Sequence, residues 1–430
     1  MVQSDSSAMR LPTTRSHTRS ESRHRAIDCV ESSSCIEFRF LVTAYLFCLI
    51  VGQMVKPKIG STPITLIDVV ILLMLPIVLL RLRARLSVFL ALGIFLAPNV
   101  LFGIMYFRLG EIGPKHLLMG FYSCYRFLFP FLIIFAYASR LHEKDKRFCL
   151  RLVMWGVWFH LVFGIVQAAL VPNFAVRFGP KDVDWDVQGH RLVSTILDPN
   201  LISSLFYATV LGVLSRVAST KETVSRRALL TAVAAVIAGA LTASRGGALG
   251  FSMAFLLLLV EAPRLDVRRK IRWIFVTALS TVVVIGIFFT FFGSAYITRT
   301  NRFGASNLSV QERLINIAID ASVFFRHPLF GKGFNFLPYL PSVDFVSVTG
   351  NYADGGLLYL LASVGIVGVV AICLILYRAS HYFRSPRVLI YPTIMLVIQS
   401  TSTASMYYPL LTIFVVLLSL GLDGQTSHTA

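Results

Sequence analysis

The chain has 430 residues, of which 56% are hydrophobic and only 14% are charged, and its mean hydropathy is +0.73. A soluble globular chain is about a quarter charged, so these charges are too few to cover a surface that faces water on all sides. The composition therefore excludes a soluble protein and predicts an all-α polytopic membrane protein. The net charge of +19 lies mainly in short segments between apolar runs, which indicates membrane orientation and not a nucleic-acid partner.

The first 37 residues form a tail that is rich in Ser and Arg and has no long apolar run. Five arginines and five acidic residues make this tail neutral overall. The composition predicts a disordered cytoplasmic tail, residues 1–37. No small-residue cleavage site follows the first apolar stretch, so the tail is not expected to be a signal peptide, and its acidic residues disfavour an organelle transit segment.

Twelve apolar runs that are long enough, or nearly so, to span a bilayer follow the tail. They cover residues 38–55, 64–80, 86–107, 117–138, 152–171, 196–214, 228–243, 247–262, 273–293, 356–377, 388–404 and 407–422. The seventh, eighth and twelfth runs are the short ones. Residues 38–430 are therefore predicted to form one membrane domain of about twelve transmembrane helices.

Basic residues are distributed unevenly between these runs. The segments with most of them are 81–85, 139–151, 215–227, 263–272 and 378–387, which together carry 20 Lys and Arg. The alternate short segments 55–63, 107–116 and 244–246 carry five. Cytoplasmic loops hold the excess of Lys and Arg, so both termini are predicted to lie inside the cell. The two longer segments on the outer face are 172–195 and 294–355.

The sequence contains no P-loop, no Rossmann glycine fingerprint and no zinc-ligand spacing. ATP-driven transport by this chain alone is therefore excluded, and neither a metal nor a cofactor is expected.

Four polar features fall on the predicted outer face, and the first surrounds Arg191. Asp198 followed by Pro199 is typical of a helix N-cap and first helical residue, which is a local structural role. Arg191 has no such role. It is either an interfacial arginine whose chain reaches the head groups or an anion-binding group.

The second feature is Thr242-Ala243-Ser244-Arg245-Gly246-Gly247, which joins two apolar runs with almost no loop. Small residues on both sides of Arg245 let another group approach the backbone, as an anion site requires. The alternative is a hairpin turn that this arginine anchors at the head groups.

The third feature is a capping box, Ser309 to Glu312, which predicts a helix over about 309–326. The helix has an apolar side but is too polar as a whole to span a bilayer, so we expect it to lie at the outer interface. Arg313 lies in its first turn, where a basic residue opposes the helix dipole unless an anion docks there. A solvated surface arginine is the alternative.

The fourth feature is Asp354, just before the tenth apolar run. An aspartate there is either an ordinary helix N-cap or a general base whose pKa is raised by partly apolar surroundings.

Three arginines and one carboxylate on one face are more specific as a set than singly. Guanidinium groups bind diphosphates through paired hydrogen bonds, and a diphosphate leaves more readily when its growing charge is stabilised. A carboxylate can take the proton from an attacking sugar hydroxyl. The set predicts glycan transfer from a polyprenyl diphosphate lipid, with Arg191, Arg245 and Arg313 as diphosphate-binding residues and Asp354 as the catalytic residue.

About residues 185–375 resemble the superfamily of O-antigen ligases and Wzy-type polymerases. The similarity rests on Arg191 with Asp198-Pro199-Asn200, on Thr242 to Gly247, on Arg313 to Gly333, and on Asp354 to Gly368. Ligases of this superfamily carry a His-Asn type pair, nine residues, Gly, two residues and Gly. Here Asp354-Gly355 precedes Gly365 and Gly368 at that spacing, with Asp in place of His, which favours a repeat-unit polymerase.

The resemblance implies a GT-C-like helical fold in the bacterial inner membrane and an inverting, metal-independent glycosyltransferase. It carries the diphosphate role to Arg191, Arg245 and Arg313, and the role of base to Asp354, with His190 and His327 as substitutes for the base. The expected donor is an undecaprenyl diphosphate-linked oligosaccharide, which the enzyme would polymerise into O-antigen or exopolysaccharide. A chain-length regulator and export machinery are the expected protein partners.

Two alternatives remain open at this point. A ligase of the same superfamily would transfer the glycan to a lipid or another acceptor. A twelve-span transporter or glycan-lipid flippase would instead use charges inside the spans. Asp68 and Arg126 are such charges, and they either form a structural pair or line a proton path.

Overall fold

The computed structural model describes residues 36–55, 58–59, 62–63, 65–82, 86–171, 173–179, 191–219, 226–261, 286, 308–343, 356–400 and 407–424. In that part of the chain the helices are α1 (36–51), α2 (Leu66–Arg81), α3 (Leu86–Arg108), α4 (Pro114–Tyr137), α5 (Glu143–Leu170), α6 (Phe174–Phe178), α7 (Pro199–Ser219), α8 (Arg226–Leu241), α9 (Arg245–Glu261), α10 (Leu308–Arg326), α11 (Leu357–Ser380), α12 (Arg387–Gln399) and α13 (Pro409–Asp423). Single 3-10 turns cover Ser194–Ile196 and Leu337–Tyr339.

The predicted apolar runs correspond to helices, and every run except 273–293 overlaps one of those described. The ninth run lies outside the described residues apart from residue 286, as do residues 1–35 of the predicted tail. Five helices, α3, α4, α5, α7 and α11, are long and apolar enough to cross a membrane. The chain is therefore a multi-pass membrane protein.

Two details differ from the sequence-based expectation. Lys58–Ile59 and Thr62–Pro63 pair as an antiparallel ladder of two residues per strand, so the fold is helical with one minimal hairpin. The seventh, eighth and twelfth runs form short helices of 16, 17 and 15 residues, as expected, but α12 is shorter still with 13 residues. Helix α12 ends at Gln399, and the side chain of this residue bonds to another helix, as shown below.

One end of the helix bundle, here called the basic end, is fixed by ion pairs. Arg39 at the start of α1 meets Asp145 at the start of α5 at 2.7 Å. Lys146 of α5 lies 3.0 Å from Asp423, the last residue of α13, and both side chains are buried. A third ion pair, from Arg81 to Glu37 at 2.8 Å, brings the end of α2 to the start of α1. These helix ends therefore lie at one level.

Because the helices differ in length, their other ends do not lie at one level. Helix α2 has 16 residues and α4 has 24, which correspond to about 24 Å and about 36 Å. Tyr137, the last residue of α4, packs against Phe38 near the start of α1 with ring centroids 5.4 Å apart, so α4 ends at the basic end. The extra length of α4 consequently projects beyond α2 at the opposite end.

Helix α7 is the central element. In its most apolar stretch 89% of the residues are buried inside the protein, against 33% to 50% in the other long helices. It packs against α8, α9, α12 and α13. A membrane helix so fully enclosed by protein can carry polar residues, and α7 begins with several of them.

Candidate functional site

The turn between α8 and α9 consists of residues 242–244 and ends in a helix cap. The Ser244 Oγ accepts a hydrogen bond from the Gly247 N–H at 3.1 Å, and the Thr242 Oγ1 accepts one from the Ser244 N–H at 3.3 Å. Arg245 is the first residue of α9. It therefore stands at a helix N-terminus, where free N–H groups and the positive end of the helix dipole favour an anion.

Arg191 is held against this same turn. Its Nε donates to the Thr242 carbonyl oxygen at 2.7 Å, and its Nη2 approaches the Ala243 carbonyl oxygen at 3.3 Å. The Gln167 side chain of α5 donates in turn to the Arg191 carbonyl oxygen at 3.3 Å. The structure thus brings Arg191 next to the residues that lead into Arg245, although 54 positions separate the two in the sequence.

The start of α7 lies beside this turn. The Asp198 Oδ1 accepts hydrogen bonds from the N–H groups of Asn200 at 2.7 Å and Leu201 at 3.3 Å, so Asp198 is the predicted N-cap and Pro199 is the first helical residue. The Ser244 Oγ donates to the Asn200 Oδ1 at 2.9 Å. This bond joins the α7 start directly to the cap of α9.

A glutamine completes the polar contact between three helices. The Gln399 Nε2, at the end of α12, donates to the Asn200 carbonyl oxygen at 2.7 Å, and its Oε1 accepts from the Ser204 Oγ at 2.7 Å. The close approach depends on glycine, because a Cβ at Gly247 would lie 2.3 Å from the Ser203 Oγ. Small residues at such contacts let membrane helices approach closely and share hydrogen bonds.

We expect Gln399→Leu to destabilise the protein by about 1–3 kcal/mol, because it removes the buried hydrogen bonds that join α12 to Ser204 and Asn200 of α7. The melting temperature of the purified protein is measured, with size-exclusion chromatography to monitor the thermal unfolding. Thr393→Val on the same helix is the control, since the Thr393 hydroxyl bonds only within its own helix, to Leu389 at 2.8 Å. Equal melting temperatures of Gln399→Leu and wild type would contradict the assigned role.

Helix α10 starts at Leu308, one residue before the predicted capping serine, so Arg313 lies in its second turn. Its apolar residues do not form the buried side. Asn316 and Asp320 are buried to 1% and 0% exposure, whereas Leu314 and Phe325 are 61% and 77% exposed. The helix therefore turns polar groups toward the protein and apolar groups outward, an arrangement that suits the expected membrane interface.

A glycine breaks α11 in the middle of its length. Gly365 has φ +64° and ψ −174°, so the helical hydrogen bonds are interrupted there. The turn after α10 supplies replacement partners. Its carbonyl oxygens accept hydrogen bonds from α11, from the N–H of Ile366 to Pro328 at 2.9 Å and from the N–H of Val367 to Leu329 at 3.1 Å. Its own N–H groups donate to α11, from Lys332 to the Ala362 carbonyl oxygen at 2.9 Å and from Gly333 to the Ser363 carbonyl oxygen at 2.7 Å. Irregular backbone at membrane depth requires such partners from the protein. The first glycine of the predicted Gly-x-x-Gly spacing is thus a docking point for the segment that follows α10.

Two asparagines anchor the same segment on its other side. The Asn335 Nδ2 donates to the Ser123 Oγ of α4 at 2.8 Å, and its Oδ1 accepts from the Tyr359 hydroxyl of α11 at 3.1 Å. The Phe334 N–H donates to the Asn99 Oδ1 of α3. Three membrane helices therefore hold the segment that carries α10 and its turn.

The remaining predicted site residues are described only in part. The backbone of Arg313 is helical, its side chain lies outside the described residues, and so do the side chain of Arg245 and the whole of Asp354 and His190. His327 follows the end of α10 and is exposed. Partial burial, Lys332 and Arg326 lower the pKa of His327 below its ordinary value. The structure thus places Arg191 beside the turn that precedes Arg245, and the roles of all four predicted residues, Arg191, Arg245, Arg313 and Asp354, stay predictions.

The intramembrane charges Asp68 and Arg126 pair, as the structural alternative predicted. The Arg126 Nε lies 3.0 Å from the Asp68 Oδ1. Sequence reasoning missed the network of Asn200, Ser244 and Gln399. A glutamine inside an apolar run was the available signal, because polar side chains at membrane depth need a partner or a function.

Comparison with known proteins adds one finding. Residues 230–373 match the model of a family described as O-antigen ligase. The match starts in α8 and ends in α11, so it contains the α8–α9 turn, Arg313, Asp354 and the Gly365 break, but not Arg191. Searches of curated proteins and of solved structures find no significant match.

Proposed function

We propose that this chain, whose residues 230–373 match the O-antigen ligase family, polymerises lipid-linked oligosaccharide repeat units. The donor is a glycan on a polyprenyl diphosphate carrier, expected to be undecaprenyl diphosphate, and the acceptor is a sugar hydroxyl of another repeat unit. The reaction takes place at the outer face of the bacterial inner membrane. A chain-length regulator and export machinery would act on the product.

The observation that carries the proposal is the position of Arg191 on the turn that opens α9. Its Nε bond to the Thr242 carbonyl oxygen, at 2.7 Å, fixes one guanidinium beside a helix N-terminus whose first residue is another arginine, Arg245. Free backbone N–H groups and guanidinium groups bind phosphate oxygens by the same kind of charge-assisted hydrogen bond. This end of α9 therefore suits the diphosphate of the donor.

The proposed reaction is a single displacement. The acceptor hydroxyl oxygen attacks the anomeric carbon of the donor while its proton passes to the Asp354 carboxylate. The bond from that carbon to the diphosphate oxygen breaks, and the electron pair leaves on the carrier diphosphate, where the arginines stabilise the added charge. Attack opposite to the leaving group inverts the anomeric carbon. No step requires a metal, since guanidinium groups take the charge that a metal would otherwise neutralise.

Asp354 favours a polymerase over a ligase, because it replaces the histidine of the ligase-type spacing. Gly365 and Gly368 keep that spacing in this chain. A ligase remains the second candidate, supported by the description of the matching family.

We expect Asp354→Asn to reduce polymer formation by about 100-fold or more, because the amide cannot accept the hydroxyl proton. The test is a deletion strain whose lipid-linked and secreted glycans are sized after complementation with wild type or with Asp354→Asn. Single lipid-linked repeat units that accumulate in the deletion strain, and in the Asp354→Asn strain, support the polymerase.

His327→Gln is the companion variant and is expected to complement fully. If it fails while Asp354→Asn succeeds, the base is assigned wrongly. Full-length polymer retained on its lipid carrier in the deletion strain would favour the ligase. Unchanged polysaccharide in the deletion strain would contradict both enzymes and favour transport.

A further inference from the structure

Arg126 is an arginine in the middle of a membrane helix, well outside the family-matched residues. It lies 11 residues before the end of α4, and Asp68 lies 13 residues before the end of α2, so the two meet at the same level of the bundle. This level is the first turn of α2, whereas α4 extends about three turns further away from the basic end. The pair thus stands where the short helices end and the long ones project beyond them.

A guanidinium at such a depth is costly and needs a reason. Pairing with Asp68 supplies only part of it, because a buried ion pair is often no more stabilising than apolar residues of the same size. The contact runs through Nε alone, at 3.0 Å from Oδ1. The other oxygen, Oδ2, is occupied by the N–H and the hydroxyl of Thr65, at 2.9 Å and 2.6 Å.

The rest of the guanidinium remains available. Its Cζ lies over the Tyr122 ring, 5.5 Å from the ring centre, and its side chain is 26% exposed against 6% for Asp68. Among the described residues, none accepts a hydrogen bond from its two terminal NH₂ groups. A guanidinium fork with unused donors matches the geometry of phosphate oxygens.

Arg126 and the N-cap of α7 share Tyr408 as a neighbour. The Tyr408 hydroxyl, just before α13, lies close enough to Arg126, Asp68 and Asp198 to be affected by the charge of each. Asp198 caps α7, and the second residue of that helix, Asn200, bonds to Ser244 in the cap of α9. Tyr408 is therefore near both Arg126 and the start of α7, the helix that bonds to the turn holding Arg191 and Arg245.

We propose that Arg126 contacts the diphosphate of the lipid-linked donor as a further binding residue, and that Asp68 positions its guanidinium. This proposal rests on the proposed function, since the diphosphate is the donor's. A phospholipid head group offers the same phosphate chemistry, so the experiment compares the two sources.

The test uses the full-length protein in nanodiscs of neutral lipid. It measures the change in melting temperature on addition of undecaprenyl diphosphate or of phosphatidylglycerol, and the KM and kcat for the lipid-linked donor. Arg126→Gln is expected to raise the donor KM about tenfold or more and to remove the stabilisation by undecaprenyl diphosphate. Arg126→Lys should regain part of the affinity, and Asp68→Asn should lose less than Arg126→Gln because the guanidinium is still present.

Arg378→Gln is the matched control. Arg378 also lies over a tyrosine ring, 5.9 Å from the centre of the Tyr377 ring, but near the opposite, basic end of α11. It should leave both the KM and the lipid-dependent stabilisation unchanged.

Three outcomes would overturn the proposal. Equal losses of melting temperature in Arg126→Gln and Asp68→Asn with an unchanged donor KM would mean a purely structural ion pair. Equal stabilisation by phosphatidylglycerol and undecaprenyl diphosphate, both lost in Arg126→Gln, would mean a phospholipid site. Normal turnover by the wild type together with an unaffected Arg126→Gln would refute only the role of Arg126. Wild-type protein that turns over no lipid-linked donor would instead refute the proposed function itself.

Discussion

Gly365→Ala is expected to lower the melting temperature sharply and to abolish polymer formation. The backbone of Gly365, at φ +64° and ψ −174°, lies in a region that essentially only glycine occupies. A Cβ there would lie 2.2 Å from the Leu329 carbonyl oxygen, which is backbone and cannot move aside without breaking the turn. Strain of this kind costs about 3 kcal/mol, and the clash adds to it. Thermal unfolding of the purified variant and the yield of folded protein measure the effect.

Gly93→Ala provides the comparison. Gly93 lies within α3, and a Cβ at this position would meet no atom within 4 Å. Alanine favours a helix over glycine by about 0.5–1 kcal/mol, so this variant should be unchanged or slightly more stable. If Gly365→Ala unfolds at the same temperature as Gly93→Ala, the turn after α10 is not docked in the break of α11.

Arg245→Lys is expected to insert and fold normally but to lose about 100-fold or more of the polymerase activity. Lysine keeps the positive charge at the start of α9 but cannot form the paired, forked hydrogen bonds of a guanidinium with a diphosphate. The measurement is the initial rate of polymer formation from lipid-linked repeat units in proteoliposomes, together with the amount of folded protein per liposome.

The control is Arg227→Lys. Arg227 is likewise in the first turn of its helix, α8, but at the basic end and exposed to solvent, so its replacement should not change the rate. Near-normal polymer length with Arg245→Lys would count heavily against a diphosphate role for this arginine.

The helices themselves were predictable because an apolar run long enough to span a membrane has little choice of structure. The Asp198-Pro199 cap was predictable as well, since both signals are local. The end of α12 was not. Its apolar run continues past Gln399, whereas the described helix ends there, and the sequence did not show that the Gln399 side chain bonds to α7.

Contacts between distant parts of the chain could not be predicted from the sequence either, because they depend on tertiary packing. Nothing near Arg191 indicates that its guanidinium reaches the carbonyl oxygens of the α8–α9 turn, because that contact depends on tertiary packing. The Gly365 spacing was visible, but its purpose was not: a break in a membrane helix can be inferred only when the segment that fills it is known. The apolar side of α10 was visible in the sequence, but the burial of Asn316 and Asp320 against the protein was not.

The different lengths of the helices have a consequence for the surrounding lipid. Helices α2 and α8 expose several leucines, among them Leu73, Leu80 and Leu230, yet each has only 16 residues, about 24 Å of helix beside a hydrocarbon layer of about 30 Å. Such hydrophobic mismatch is relieved by local thinning of the bilayer. Because an ion pair holds α2 at the basic end, the thinning beside this helix falls on the side where α7 and α9 begin. A polyprenyl carrier could then bring its head group to that depth while its tail stayed within the membrane.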